Sequence, residues 1–122
     1  MAQILIIDDD DKLREILAKA LVYAGHTVVQ AADGKQGVEL FRATEVDLVI
    51  TDLVMPVQEG VETIVELLSE RPNLPIIAIS GGRSNSDVYL EIAAKIGAKR
   101  ALAKPFTPRE LLDAIADVLV DK

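Results

Sequence analysis

Short apolar runs alternate with segments whose apolar residues recur at three- and four-residue steps, and this alternation persists along the whole chain. Ile4 to Ile7 is a continuous β-branched run, which predicts a strand covered on both faces. Leu13, Ile16, Leu17, Ala20, Leu21 and Ala24 then repeat with helical period, and Gly25 stands where a left-handed cap belongs. Thr27 to Val29 gives a second strand, and Asp33-Gly34 opens a helix running through Val38, Leu40 and Phe41. Asp47 to Thr51 is the third strand, followed by a loop with Met55-Pro56 and Gly60 and a helix from Val61 to Glu70. Pro75 to Ser80 forms the fourth strand, and Ser84 to Ile96 a helix with Ser84 and Asp87 at capping-box spacing. Arg100 to Ala103 is the fifth strand. Thr107-Pro108-Arg109-Glu110 then supplies an N-cap, a proline at N1 and an acid at N3 for the last helix, whose apolar face is Leu111, Leu112, Ile115, Ala116 and Leu119.

Strands alternating with helices imply right-handed crossovers and an α/β fold, a doubly wound five-stranded parallel sheet with helices on both faces. The 122 residues suffice for one domain, spanning 1–122, with no linker or low-complexity tract. Half the residues are hydrophobic but only 3% are aromatic, so Ile, Leu, Val and Ala fill the core and stacking on bases is not expected. The formal charge of −7 has the wrong sign for counterion release, so direct nucleic-acid contact is not expected of this domain. The absence of Cys excludes disulfides and thiolate chemistry and suits a reducing compartment, with the cytoplasm as the default. Asp8 to Asp11 interrupts the first apolar run, so it is not the core of a signal peptide, and no run approaches membrane-spanning length.

Ligands of open parallel sheets bind beyond the carboxyl ends of the strands. There the chain carries Asp8 and Asp9, Asp52, Ser80 and Lys104, which converge if strands one, three, four and five are neighbours. Two carboxylates about 4 Å apart repel by roughly 4 kcal/mol at an effective dielectric near 20, so the cluster asks for a divalent cation. Oxygen-only ligands favour a hard ion such as Mg²⁺ over Zn²⁺, and Mg²⁺ usually completes its shell with water and phosphate. A phosphoryl group on that metal could be held by Lys104 and Ser80.

Ile4-Leu5-Ile6-Ile7-Asp8-Asp9-Asp10 with Arg14, Asp52-Leu53-Val54-Met55-Pro56 with Gly60, Ser80-Gly81, and Lys104-Pro105-Phe106 resemble, in order, the four signature blocks of response-regulator receiver domains. The resemblance implies a flavodoxin-like (βα)₅ three-layer sandwich with strand order 2-1-3-4-5. It implies that Asp52 accepts a phosphoryl group from a phosphohistidine on a histidine kinase or histidine phosphotransfer protein. It also implies Mg²⁺ on Asp9, Asp52 and the Val54 backbone carbonyl, with Asp8 assisting, Lys104 and Ser80 on phosphoryl oxygens, and a cis Lys104-Pro105 bond. One position departs from the pattern: Ala101 stands where the family often carries Tyr or Phe.

The function expected is a phosphoacceptor switch in two-component signalling. It changes affinity for a downstream protein and assists its own phosphorylation and dephosphorylation without turning over a separate substrate. The alternative is a trimmed receiver domain of a larger DNA-binding regulator. A phosphohydrolase with an aspartyl-phosphate intermediate would usually need a second acid where Val54 stands, a flavin site is repelled by Asp8 to Asp11, and the Asp run lacks the Gly and Glu of a calcium loop. Asp10 and Asp11 are expected to cap the first helix, and His26 to be structural. Ala18 and Val22 are expected on an exposed stripe of that helix with Arg14.

Overall fold

The computed structural model describes residues 2–53, 60–80 and 86–120. Five strands, β1 (Gln3–Ile7), β2 (Thr27–Ala31), β3 (Leu48–Asp52), β4 (Ile76–Ser80) and β5 (Arg100–Ala103), alternate with five helices, α1 (Asp11–Tyr23), α2 (Gly34–Ala43), α3 (Gly60–Glu70), α4 (Ser86–Ile96) and α5 (Pro108–Val120). All paired strands are parallel, in the order β2-β1-β3-β4-β5.

The period of two along each strand divides the interior. Ile4, Ile6, Leu48, Ile50, Ile77 and Ile79 face α1 and α5, against Leu17, Leu21, Leu111 and Ile115. Leu5, Ile7, Val49, Ile76 and Ala78 face the other way, against Val38 of α2, Ile64 and Leu67 of α3 and Ala93 of α4. Both faces of β3 and β4 are therefore buried, which explains the unbroken apolar runs Leu48 to Ile50 and Ile76 to Ile79 within them. The edge strands β2 and β5 are more exposed.

Local chemistry sets the helix ends. Asp10 caps α1 by accepting the Leu13 N–H at 3.1 Å, and Asp33 caps α2 by accepting the Gln36 N–H at 2.8 Å. Thr107 and Glu110 form the expected capping box at α5, with reciprocal bonds of 3.1 and 3.0 Å. Gly25 and Gly97 follow α1 and α4 with φ of 100° and 118°, in the region open to glycine. The Ser84–Asp87 capping expectation lies outside the described residues.

Several details differ from the sequence pattern: β2 runs on to Ala31, β4 starts at Ile76 and α3 at Gly60, and on α5 Ala114 and Val118 are buried beside Leu111 and Ile115 while Ala116, about 140° from Leu111 at 100° per residue, is exposed. The third strand runs one residue later than expected, Leu48–Asp52, because Asp47 instead binds the entrance of β1, its carboxylate accepting the Gln3 N–H at 2.9 Å. On α1 the buried arc is Leu17, Ala18 and Leu21, so Ala18 is in the core and not on an exposed stripe, while Ile16 is 57% exposed and Ala24 is also exposed. At 100° per residue, Ile16 lies roughly 150° from the centre of that arc. Arg14 sits on the buried side, with its side chain 13% exposed, whereas Val22 is exposed as expected.

Candidate functional site

Pairing register decides which strand ends meet. Ile7 pairs with Thr51, so Asp8, the next residue, stands beside Asp52, the last residue of β3. Asp52 pairs with Ile79, and Ser80 with Ala103, which brings Ser80 and Lys104 to the same edge. Backbone bonds lock these heights: Leu53 N–H donates to Ile79 O at 2.9 Å, and Lys104 N–H to Ser80 O at 2.8 Å. The Lys104-Pro105 peptide is cis.

Within this edge, one carboxylate oxygen from each of Asp8, Asp9 and Asp52 lies within 4.8 Å of the other two. Asp8 and Asp52 are buried, at 1% and 5% exposure, while Asp9 is exposed and leaves the cluster open to solvent. Lys104 Nζ lies 3.2 Å from Asp52 Oδ2 and 3.4 Å from Asp8 Oδ2. Ser80 is buried at the end of β4. The positions expected for Asp8, Asp9, Asp52, Ser80 and Lys104 are thus all at the carboxyl edge of the sheet, with the three acids and the lysine in one cluster. The Val54 carbonyl lies outside the described residues, as do Met55, Pro56 and Gly81.

The electrostatics follow from burial and proximity. Burial pushes Asp8 from 3.8 up to about 6; the Asp10 N–H opposes the rise, the Asp52 charge reinforces it, and Lys104 opposes it. Burial by itself would lower Lys104, but the charges of Asp52 and Asp8 and its bonds to both outweigh that and hold it above its ordinary value. One ammonium shared by two carboxylates leaves excess negative charge beside a third. Such an all-oxygen, solvent-open set suits a hard divalent cation.

Three supports of this edge have different degrees of visibility in the sequence. Gly60 belongs to the motif, and the structure supplies its reason: a Cβ there would collide with Asp52 O and come within 2.5 Å of Leu53 Cα. Its N–H donates to Leu53 O at 3.1 Å, so α3 starts directly against the peptide carrying Asp52. Arg14, placed by the sequence on an exposed stripe, instead reaches the Asp8 carbonyl; its place in the first turn of α1 was the available signal. Gln30, at the end of exposed β2, was missed, and it binds Arg14 at 3.1 Å. His26 lies away from the site, as expected: its Nδ1 accepts the Ala2 N–H at 3.1 Å at the opposite end of β1, and burial holds its ring below the usual value.

The fold and site together define a class: doubly wound parallel α/β proteins, which bind their ligands beyond the carboxyl ends of the strands, here where three acids and a lysine gather. Residues 4–116 match the response regulator receiver domain family, and the chain belongs to it, as a receiver domain of the two-component response regulators. The chain is 37% identical over 122 residues to a "Probable transcriptional regulator ycf27" of Porphyridium aerugineum, covering 98% of this chain and 50% of that protein. It is 33% identical over 124 residues to "Protein CcdB" of Bacillus subtilis, covering 98% of each. A response regulator receiver domain protein from Clostridium thermocellum superposes with a TM-score of 0.91 at 29% identity, over 99% of this chain and 96% of that one. The chain thus spans about half the length of the transcriptional regulators it resembles.

Proposed function

We propose that Asp52 is the phosphoacceptor of a Mg²⁺-dependent phosphorelay step, and that the 122 residues act as a single receiver domain. The observation that carries this reading is the approach of Asp8, Asp9 and Asp52 to within 4.8 Å, with Lys104 bridging two of them. An Asp52 carboxylate oxygen attacks the phosphorus of a phosphohistidine on a histidine kinase or phosphotransfer protein. A P–O bond forms as the P–N bond breaks; the imidazole leaves with the electron pair and takes up a proton. Asp8, Asp9, Asp52 and the Val54 carbonyl are the proposed ligands of Mg²⁺, which when bound offsets the carboxylate repulsion and balances charge on the phosphoryl oxygens. Lys104 exchanges its carboxylate partners for a phosphoryl oxygen, and the Ser80 hydroxyl donates to another. The domain is then a switch for a downstream protein, with no separate substrate to turn over. A cytoplasmic location is part of this proposal, since the proposed phosphohistidine donor must meet Asp52; among the described residues, no helix is long and apolar enough to cross a membrane.

Incubation with a small phosphodonor and Mg²⁺ tests the proposal by mass. The wild type gains one phosphoryl group and Asp52→Asn gains none; equal labelling of both excludes Asp52 as the acceptor. A second reading, in which the domain is the receiver half of a DNA-binding regulator, is favoured by its spanning about half of relatives named transcriptional regulators. A reading frame that ends at Lys122 would exclude it.

A further inference from the structure

Two of the three acids of the site, Asp8 and Asp9, flank one peptide unit, and its oxygen is gripped from outside the cluster. Arg14 Nη1 donates to the Asp8 carbonyl at 2.6 Å, Nε donates to Gln30 Oε1 at 3.1 Å, and Nη2 pairs with Asp11 at 2.8 Å. The guanidinium therefore ties together the β1–α1 loop, the exposed end of β2 and the first turn of α1. The Asp8 carbonyl belongs to the planar unit that contains the Cα atoms of both Asp8 and Asp9. Fixing the direction of that oxygen fixes the plane from which both side chains emerge. The other end of Asp8 is also held, its N–H donating to Ala31 O at 3.1 Å, and its Oδ1 accepts the Asp10 N–H at 2.9 Å. Lys104 holds the Asp8 Oδ2 at 3.4 Å, and Arg14 holds the Asp8 carbonyl.

We infer that Arg14, oriented by Gln30, is a positioning residue for the divalent cation of the acidic cluster, acting through the Asp8–Asp9 peptide. The inference rests on the Mg²⁺ reading of the cluster. Charge alone works in the opposite sense: a guanidinium near three carboxylates competes with a cation, so removing it without loss of geometry strengthens cation binding. Loss of positioning weakens it. The sign of the change separates the two.

The test is calorimetric titration of Mg²⁺ into the wild type, Arg14→Met, Arg14→Lys, Gln30→Ala and Asp9→Asn, with urea unfolding in EDTA as the measure of fold integrity. Arg14→Met is expected to raise Kd roughly 10- to 100-fold, as loss of a residue that orients a metal ligand does. Arg14→Lys keeps the charge but lacks the fork that reaches several acceptors, and is expected to restore only part of the affinity. Gln30→Ala is expected to give a smaller loss in the same direction. An unchanged or lower Kd in folded Arg14→Met overturns the inference. Should that variant fail to fold, an unchanged Kd in Gln30→Ala, a change at an exposed strand end, overturns it. Failure of the wild type to bind Mg²⁺, or undiminished binding by Asp9→Asn, overturns the reading of the site itself, an outcome distinct from the failure of Arg14 alone.

Discussion

Asp8 shows how burial converts an ordinary acid into a conditional one. Its folded value of about 6 against the usual 3.8 means that the folded protein binds more protons than the unfolded chain between those values. The Asp8 contribution to stability is therefore complete below about 4 and is lost as pH rises through about 6. Asn at this position does not titrate. In EDTA, the stability of Asp8→Asn relative to wild type is expected to rise between these pH values and level off above them, read from urea midpoints at several pH values. A constant difference across that range would contradict the assignment. Gly60 illustrates a different constraint, imposed by the backbone. Alanine favours a helix over glycine by about 1 kcal/mol, yet here its methyl would strike the Asp52 carbonyl, which no side-chain rotation relieves. Overpacking costs about 1–3 kcal/mol or more, so Gly60→Ala is expected to lower the urea midpoint despite better helix propensity.

Among the elements, a start with complete local signals falls where the sequence pattern places it. The last helix begins at Pro108 as expected, because Thr107 and Glu110 satisfy each other's backbone N–H groups without help from the rest of the fold. Thr107→Ala is expected to lower stability by about 1 kcal/mol, measured by denaturant unfolding, with Glu110→Ala giving a related and non-additive loss. By contrast, the face that α1 presents to the sheet was misjudged at Ile16 and Ala18. Alanine and isoleucine suit either side of a helix. Which side is buried was set by the packing of Leu17, Ala18 and Leu21 against the sheet and α5 and by Arg14 turning inward to the Asp8 carbonyl. Ala101, where the sequence departs from the family pattern, pairs in register with Ala78 and packs with the α2–α3–α4 layer.

For the whole molecule, the site is a property of strand order. Residues from β1, β3, β4 and β5 share an edge only because β1 and β3 are adjacent in space although β2 separates them in sequence. A cation that binds this edge in the folded chain alone stabilises the fold by mass action, by about 2.7 kcal/mol when its concentration is 100 times its Kd. Saturating Mg²⁺ is therefore expected to raise the wild-type Tm and to leave Asp9→Asn nearly unmoved; equal shifts in both would place the ion elsewhere. The sequence by itself determined the succession of elements, since apolar period and capping act over a few residues. Together with the motif blocks, it also determined which acids, hydroxyl and lysine gather at the strand ends. Only the tertiary structure decided the distances among Asp8, Asp9, Asp52 and Lys104, the burial that raises Asp8, and the inward turn of Arg14. Those depend on contacts between segments far apart in the chain, and local periodicity holds no information about such contacts.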